Sequence, residues 1–399
     1  MGLRALRKIQ IGEEGTKGSA VAATAALVGA LTMKSSPTIH RPVEERGVLA
    51  EFSRSVKAAN LAELSFEGDA TFEQILYLLH MGILGNVTPS GAGTARRWLF
   101  TPSMTAAGVF DSFTIEYGDD VEQWETEYCL AKAIEISGTM NEPMKLRGTI
   151  FGRKMTVCDF TGTLIPPIVE SILTQRARLY IDAETDKIGS TEKSGALIAF
   201  TFAINTGLAP KRFADGGIDF SGYSEAFKRV DLKMTFVFNA GVEVERLKFD
   251  GETLRLIRIE ALGSSAQADE DSTATVGAGG WTDVATSVLV SSSTPFTVDT
   301  VIKVESERLL VTAKPDGTHL TVVRGYEGTT PAAHAGAIAI YFVHDKRLRL
   351  DFCGIYTGWE TLSEREGEDI VEVTMSTQKG TIYTKLFELA VTNKVTALP

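Results

Sequence analysis

The chain has 399 residues, 44% hydrophobic and 23% charged, ordinary values for a folded soluble protein with room for two or three domains rather than one small core. A formal net charge of −11 argues against a protein that grips nucleic acid, because such proteins neutralise phosphates with Lys and Arg. The three cysteines, Cys129, Cys158 and Cys353, are far apart and lack metal-ligand spacing, so they read as reduced, mostly buried small side chains in a reducing compartment.

Thirty-seven glycines against twelve prolines, with abundant Thr and Val, favour strands and turns. The Ala-rich stretch Ser19 to Met33 is too short and too poor in Leu for a membrane span, and reads as a buried strand or arm. Residues 34–47, with Pro37 and Pro42, suggest an extended connection. Phe72, Ile75, Leu76, Leu79 and Ile83 recur at helical spacing, so 71–85 predicts one amphipathic helix, capped by Thr71 or Asp69 and ended by Gly82 or Gly85. Residues 98–160 alternate as strands, with a hairpin turn at Asn141-Glu142-Pro143. A second block opens with "LIPPIVESILTQ", read as a Pro-led short helix or turn, and continues in four alternating runs. It resumes after residue 343 with "RLRLDFCGIYTGWETL" and two further runs. The two blocks share an outline, which suggests duplication.

Between "RLIRIEALG" and "RLRLDFCGIY", two runs expected to be neighbours in one sheet, residues 264–343 carry strands and turns of their own. This is the pattern of a small domain spliced into a hairpin tip, where the chain ends lie close together. The soft stretch Ser264 to Gly280 reads as its linker, and nine acidic against four basic residues suit an exposed ornament on a loose tether.

No catalytic constellation emerges. "GEEGTKGS", Gly12 to Ser19, fails as a phosphate loop because Lys17 precedes Gly18 instead of following the second glycine. His80 reads as packing on the helix, and His334, near Arg324 and Glu327, as a turn-fixing hydrogen-bonding residue. Asp119, Asp120 and Glu122 in "YGDDVEQWETE" read as a charged hairpin loop meeting solvent or a neighbouring subunit. The four tryptophans do not cluster with basic residues, against a stacking platform for single strands.

Residues 33–85, "RRWLFTPS", and "FTIEYGDD" followed by "YCLAKAIEISGTMNEPMKLRGTIFGR" resemble the tail tube proteins of long-tailed, siphovirus-type bacteriophages. The segment "ESERLLVTAKPDGTHLTVVRGYEGTTPAAHAGAIAI" resembles a small β module of phage virion proteins. The resemblance implies a mainly β chain: two tail-tube-type β-barrel or sandwich domains, each with a short flanking helix, plus an inserted small all-β domain. The corresponding ranges are 1–160, then 161–263 with 344–399, and the insert at 264–343. It further implies a structural virion protein without enzymatic activity or cofactor, assembled in the host bacterial cytoplasm into stacked rings through which DNA is ejected. Its partners would be itself, in trimeric rings of pseudo-sixfold symmetry, the tape measure, terminator and tip proteins of the tail, and passing double-stranded DNA, with no membrane. On this reading Glu135, Glu243 and Glu260 lie on hairpin faces lining an acidic lumen, whose like charge repels phosphate. The alternative readings are a capsid or decoration subunit and a host-adhesion, carbohydrate-binding protein.

Overall fold

Apolar side chains at every second position force one face of each strand inward, and this alternation organises almost the whole chain. The computed structural model describes residues 3–90, 95–162, 164–264 and 269–398. It is mainly β, 48% strand and 7% helix, with several antiparallel sheets.

In chain order, the first half holds β1 (Lys8–Glu13), β2 (Ala25–Leu27), β3 (Ala30–Ser35), β4 (Thr38–His40), β5 (Val56–Ala59), β6 (Ala62–Asp69), α1 (Ile75–Gly82), β7 (Arg96–Phe100), β8 (Phe113–Gly118), β9 (Gln123–Thr139), β10 (Lys145–Gly152) and β11 (Thr156–Cys158). The second half begins with β12 (Ala177–Ala183), β13 (Leu197–Asn205), β14 (Leu208–Lys211), β15 (Gly222–Glu225), β16 (Arg229–Val237), α2 (Ala240–Asp250) and β17 (Arg255–Leu262). An insert follows with β18 (Glu270–Thr275), β19 (Ser287–Leu289), β20 (Val301–Val304), β21 (Glu307–Ala313), β22 (His319–Val323) and β23 (Ala339–Phe342). The second half then closes with β24 (Arg347–Trp359), β25 (Ser363–Arg365), β26 (Glu368–Thr377) and β27 (Phe387–Asn393).

The two halves repeat one wiring. In the first, β6 pairs with β3 and β10, β10 with β9, β9 with β8 and β11, and β8 with β1. In the second, β16 pairs with β13 and β26, β26 with β24, β24 with β17 and β27, and β17 with β12. Each half carries a small hairpin between its second long strand and the next, β4–β5 or β14–β15, and a helix after β6 or β16. Even the irregularities coincide. The β9–β10 ladder skips Lys132, with Ala133 opposite Thr149 and Ala131 opposite Ile150. The β24–β26 ladder skips Thr357, with Gly358 opposite Thr374 and Tyr356 opposite Met375. These paired bulges fix a residue-by-residue correspondence that the side chains alone conceal.

One apolar core runs through both halves, from Leu64 and Phe66 through Ile134, Ile136 and Phe202 to Met234, Phe352 and Val373. Helix α1 is buried on every side and lies against β9. A Cβ on Gly82 would stand 2.9 Å from a methyl of Thr206 and 3.1 Å from Ala131, so glycine is what lets the helix come this close to the seam between halves. The helix occupies Ile75–Gly82 within the expected 71–85, and the Thr71 hydroxyl accepts from the Gln74 amide ahead of it.

The second helix differs from expectation. Residues 164–170 form no helix, and 174–176 make only a short 3-10 turn. The helix of the second half is α2, whose Asn239 cap accepts from the Gly241 and Val242 amides. Buried Glu245 ties it down through Arg255, Lys193 and the Tyr356 hydroxyl. A helix anchored by a carboxylate has little apolar periodicity to read.

The insert has its own six-stranded sheet, in the order β18-β23-β20-β21-β22-β19, and its own core around Trp281, Phe296, Val311 and Leu320. Strands β17 and β24, on either side of it in sequence, are antiparallel neighbours from Arg255 opposite Gly354 to Leu262 opposite Arg347. Of the expected linker 264–280, residues 265–268 lie outside the described residues. Most of the remainder is not linker: Glu270–Thr275 is β18, and Ala274 and Val276 are in the insert core.

Phe202 lies opposite Ile136 and Leu232 and meets Phe352 edge-on, with ring centroids 6.3 Å apart. Phe202→Ala is expected to lower stability by about 3–5 kcal/mol, read from urea denaturation.

Candidate assembly interface

The seam between the halves is a strand ladder. Strand β13 pairs with the second part of β9, from Ala199 opposite Thr139 to Asn205 opposite Ala133. Beyond it, the Thr206 hydroxyl, fully buried, donates to the carbonyls at the β9 bulge, Ala131 (2.8 Å) and Lys132 (2.9 Å). The β14–β15 hairpin then folds over the first half, where Phe220, Leu208 and Tyr223 pack on Phe110, Tyr128, Leu130 and Phe151. Arg153 donates to the Phe220 carbonyl, and Arg212 to that of Asn60. The result is a run of eight strands, β3-β6-β10-β9-β13-β16-β26-β24.

This run does not close on itself, and of the barrel or sandwich expected of each half, no closed barrel is found among the described residues. It ends in two free edges among the described residues. Strand β3 pairs only with β6, while its counterpart β13 pairs on both sides. Strand β24 pairs with β17 as far as Gly354, and among the described residues no strand pairs on that side beyond it; the part of β9 that β13 covers, Ala133–Thr139, has its match starting at Gly358. One edge therefore has the form of the seam's donor strand and the other that of its acceptor. Unpaired strand edges are templates for further pairing.

The face opposite the core is polar across all eight strands. It carries Glu63, Glu67, Asp69, Glu135, Asp231 and Glu372 together with Lys34, Lys145, Arg147, Arg229 and Lys233. Glu135 is on this face, but not as a lone charge: Arg147 bridges it (3.2 Å) to Glu67 (2.9 Å). Lys145 pairs with Asp69, Lys233 with Glu372 and Arg229 with Asp231. The face is thus nearly charge-balanced.

The two other acidic candidates are elsewhere. Glu243 is exposed in the first turn of α2, on a helix and not on a hairpin face. Glu260 is 0% exposed and lines no surface. It belongs to an ionic cluster under the insert, where it accepts from Arg349 (2.7 Å) and the Tyr326 hydroxyl (2.5 Å) and forms an ion pair with Arg347 at 3.0 Å. Arg347 also pairs with Glu327, which pairs with Arg308, which reaches Asp345 at 2.7 Å. Arg349 donates to the Asp299 carbonyl, and Tyr326 stacks on Tyr180. The insert is clamped to β12, β17 and β24 by this cluster, which corrects the expectation of a loose tether. A cavity of about 290 Å³ remains beside the clamp, lined by Arg97, Arg349, Asp299, Phe342 and His344.

Asp119, Asp120 and Glu122 form the β8–β9 turn; Asp119 accepts from the Val121 and Glu122 amides, and Asp120 and Glu122 are exposed. The Gly12–Ser19 stretch encloses an anion of its own: buried Glu14 accepts from the amides of Gly18 and Tyr128 and the hydroxyls of Ser112 and Thr114. His80 is buried, bonded to Asp111 at 2.7 Å and edge-on to Trp98 and Phe100. In the insert, His334 sits between Glu305 and Glu307, and Arg324 forks onto Glu307 while donating to the Thr282 and Ala285 carbonyls. Glu307, Arg324 and His334 meet here as a buried polar brace. Among the described residues no group of three His, Cys, Asp or Glu is placed to hold a metal ion.

Burial pushes the Glu260 carboxyl up, but Arg349, Arg347 and Arg258 beside it and the Tyr326 hydroxyl pull it further down, below its ordinary value of 4.5. In Glu307 burial is likewise outweighed, by Arg324, the Gly325 amide and His334, and the group is held at about 2. A depressed carboxyl stabilises the fold above its unfolded pKa and loses that contribution as pH falls through the folded one. Insert docking should therefore weaken between about pH 4.5 and 2, seen as proteolysis around residues 264–343. Glu260→Ala, which leaves buried Arg349 without its carboxylate, should cost about 3–5 kcal/mol at neutral pH. No protein-family model matches this sequence, and no curated protein matches it.

Proposed function

We propose that this chain is a self-assembling structural protein whose copies join edge to edge into rings, and that the rings stack into a tube of the phage-tail type that passes double-stranded DNA. The observation that carries the reading is the seam. One half docks a strand on the other, and among the described residues the equivalent two edges stand free at the ends of the eight-strand run. A contact between unlike edges is head-to-tail, so it propagates until it closes as a ring or runs on as a filament.

Three chains would supply six repeats and twenty-four strands, the pseudo-sixfold trimer that the tail tube resemblance implies. At the usual strand spacing and tilt such a barrel is roughly 50 Å across at the backbone, room for a duplex inside. Its inner wall would be the polar face, where Lys145, Arg147, Arg229 and Lys233 are already held by carboxylates. Cations engaged in this way release no counterions from DNA and provide no grip on phosphate. The insert, on the far side of the core behind β12 and β17, would project from the outside of the tube. Tape measure, terminator and tip proteins are the partners this reading names.

Purified protein examined by sedimentation velocity and negative-stain microscopy over a wide concentration range should give closed trimers and stacked tubes. Deleting 264–343 and joining the flanking strands through a short turn should leave tubes intact but thinner. A chain that stays monomeric throughout, or forms shells, contradicts the reading.

A further inference from the structure

The internal seam also specifies the register between copies. We infer that β3 of one chain pairs antiparallel with residues 359–365 of the next, with Lys34 directly opposite Glu360 on the polar face. This rests on the self-assembly reading above and adds the pairing itself.

The correspondence follows from the bulges. Gly358 matches Ala133, so Trp359 matches Ile134 and Glu360 matches Glu135. On the other edge, Leu64 opposite Ile150 matches Leu232 opposite Met375, so Lys34, opposite Glu63, takes the place of Ala203, opposite Asp231. Within the chain Ala203 lies opposite Glu135. Between chains the equivalent pair is Lys34 and Glu360, and Thr32, in the place of Thr201, falls opposite Ser363, which faces Ile370 as Ser137 faces Lys145.

The charges favour this pairing. Lys34 and Glu360 are both exposed, and among the described residues neither has an ion-pair partner within 4 Å. Glu63, across the ladder from Lys34, accepts instead from the Ser36 hydroxyl. Glu360 bonds through its amide to the Glu372 carbonyl, which puts two carboxylates side by side on one face. Like charges in neighbouring strands repel. Lys34 from a second copy relieves that repulsion, as Arg147 does for Glu135 and Glu67 inside the chain. A slip of one residue would turn Lys34 towards the apolar side, so register and charge pairing stand or fall together.

The test is a charge swap with a crosslink. Lys34→Glu and Glu360→Lys should each raise the midpoint concentration for assembly about tenfold, since like charges across an interface are strongly unfavourable. The double variant should return it to near the wild-type value. Both positions are exposed, so the monomer's circular dichroism and melting temperature should not move. In a Cys158→Ser background, Thr32→Cys with Ser363→Cys should give oxidised intermolecular dimers and trimers, whereas Thr32→Cys with Thr361→Cys should not. If wild-type rings form but the swap fails to restore assembly, or the 361 pair crosslinks instead, the register is wrong and the self-assembly reading survives. If the wild type never assembles, both fall.

Discussion

Backbone amides and carbonyls at the edge of a sheet must bond to something, and this requirement shapes the chain more than any single side chain does. Inside the molecule it is met once, where β13 closes the edge of β9. The duplication then recreates the problem at both ends of the sheet, because a second half that supplies a donor edge inward also presents an acceptor edge outward. A protein that kept only the first contact would be expected to blunt the remaining edges with prolines, short strands or a covering segment. Here Pro37 follows β3, but the strand itself is six residues long and largely exposed.

The insert is held by a different principle. Two arginines, a buried carboxylate and a tyrosine hydroxyl meet where its sheet lies on β17 and β24. Buried ion pairs add little net stability over apolar contacts, yet they penalise any misaligned docking severely. Such a clamp sets the orientation of the insert on β17 and β24.

Much of the strand layout was legible because alternation is a strong signal: the runs at 177–183, 197–205, 229–237 and 255–262 all occur where the pattern places them. Helix α2 was not, because Glu245 and its ion pairs, and not an apolar stripe, attach it. The duplication was only an outline in the sequence, since the two bulges are visible in the ladder and leave no residue signature: Lys132 and Thr357 have nothing in common as side chains. Glu260 was misplaced for a related reason. Alternation puts it on the face away from the core, and only the docked insert reveals that this face is buried too.

The most direct measurement of the central claim is hydrogen exchange followed by mass spectrometry, on dilute and on concentrated protein. Within residues 31–35 and 355–362, the amides not bonded to β6 or β26 should exchange freely in the dilute sample and become protected together as concentration rises, while β13 and β9 stay protected throughout. Equal and unchanging exchange at both edges at every concentration would contradict it.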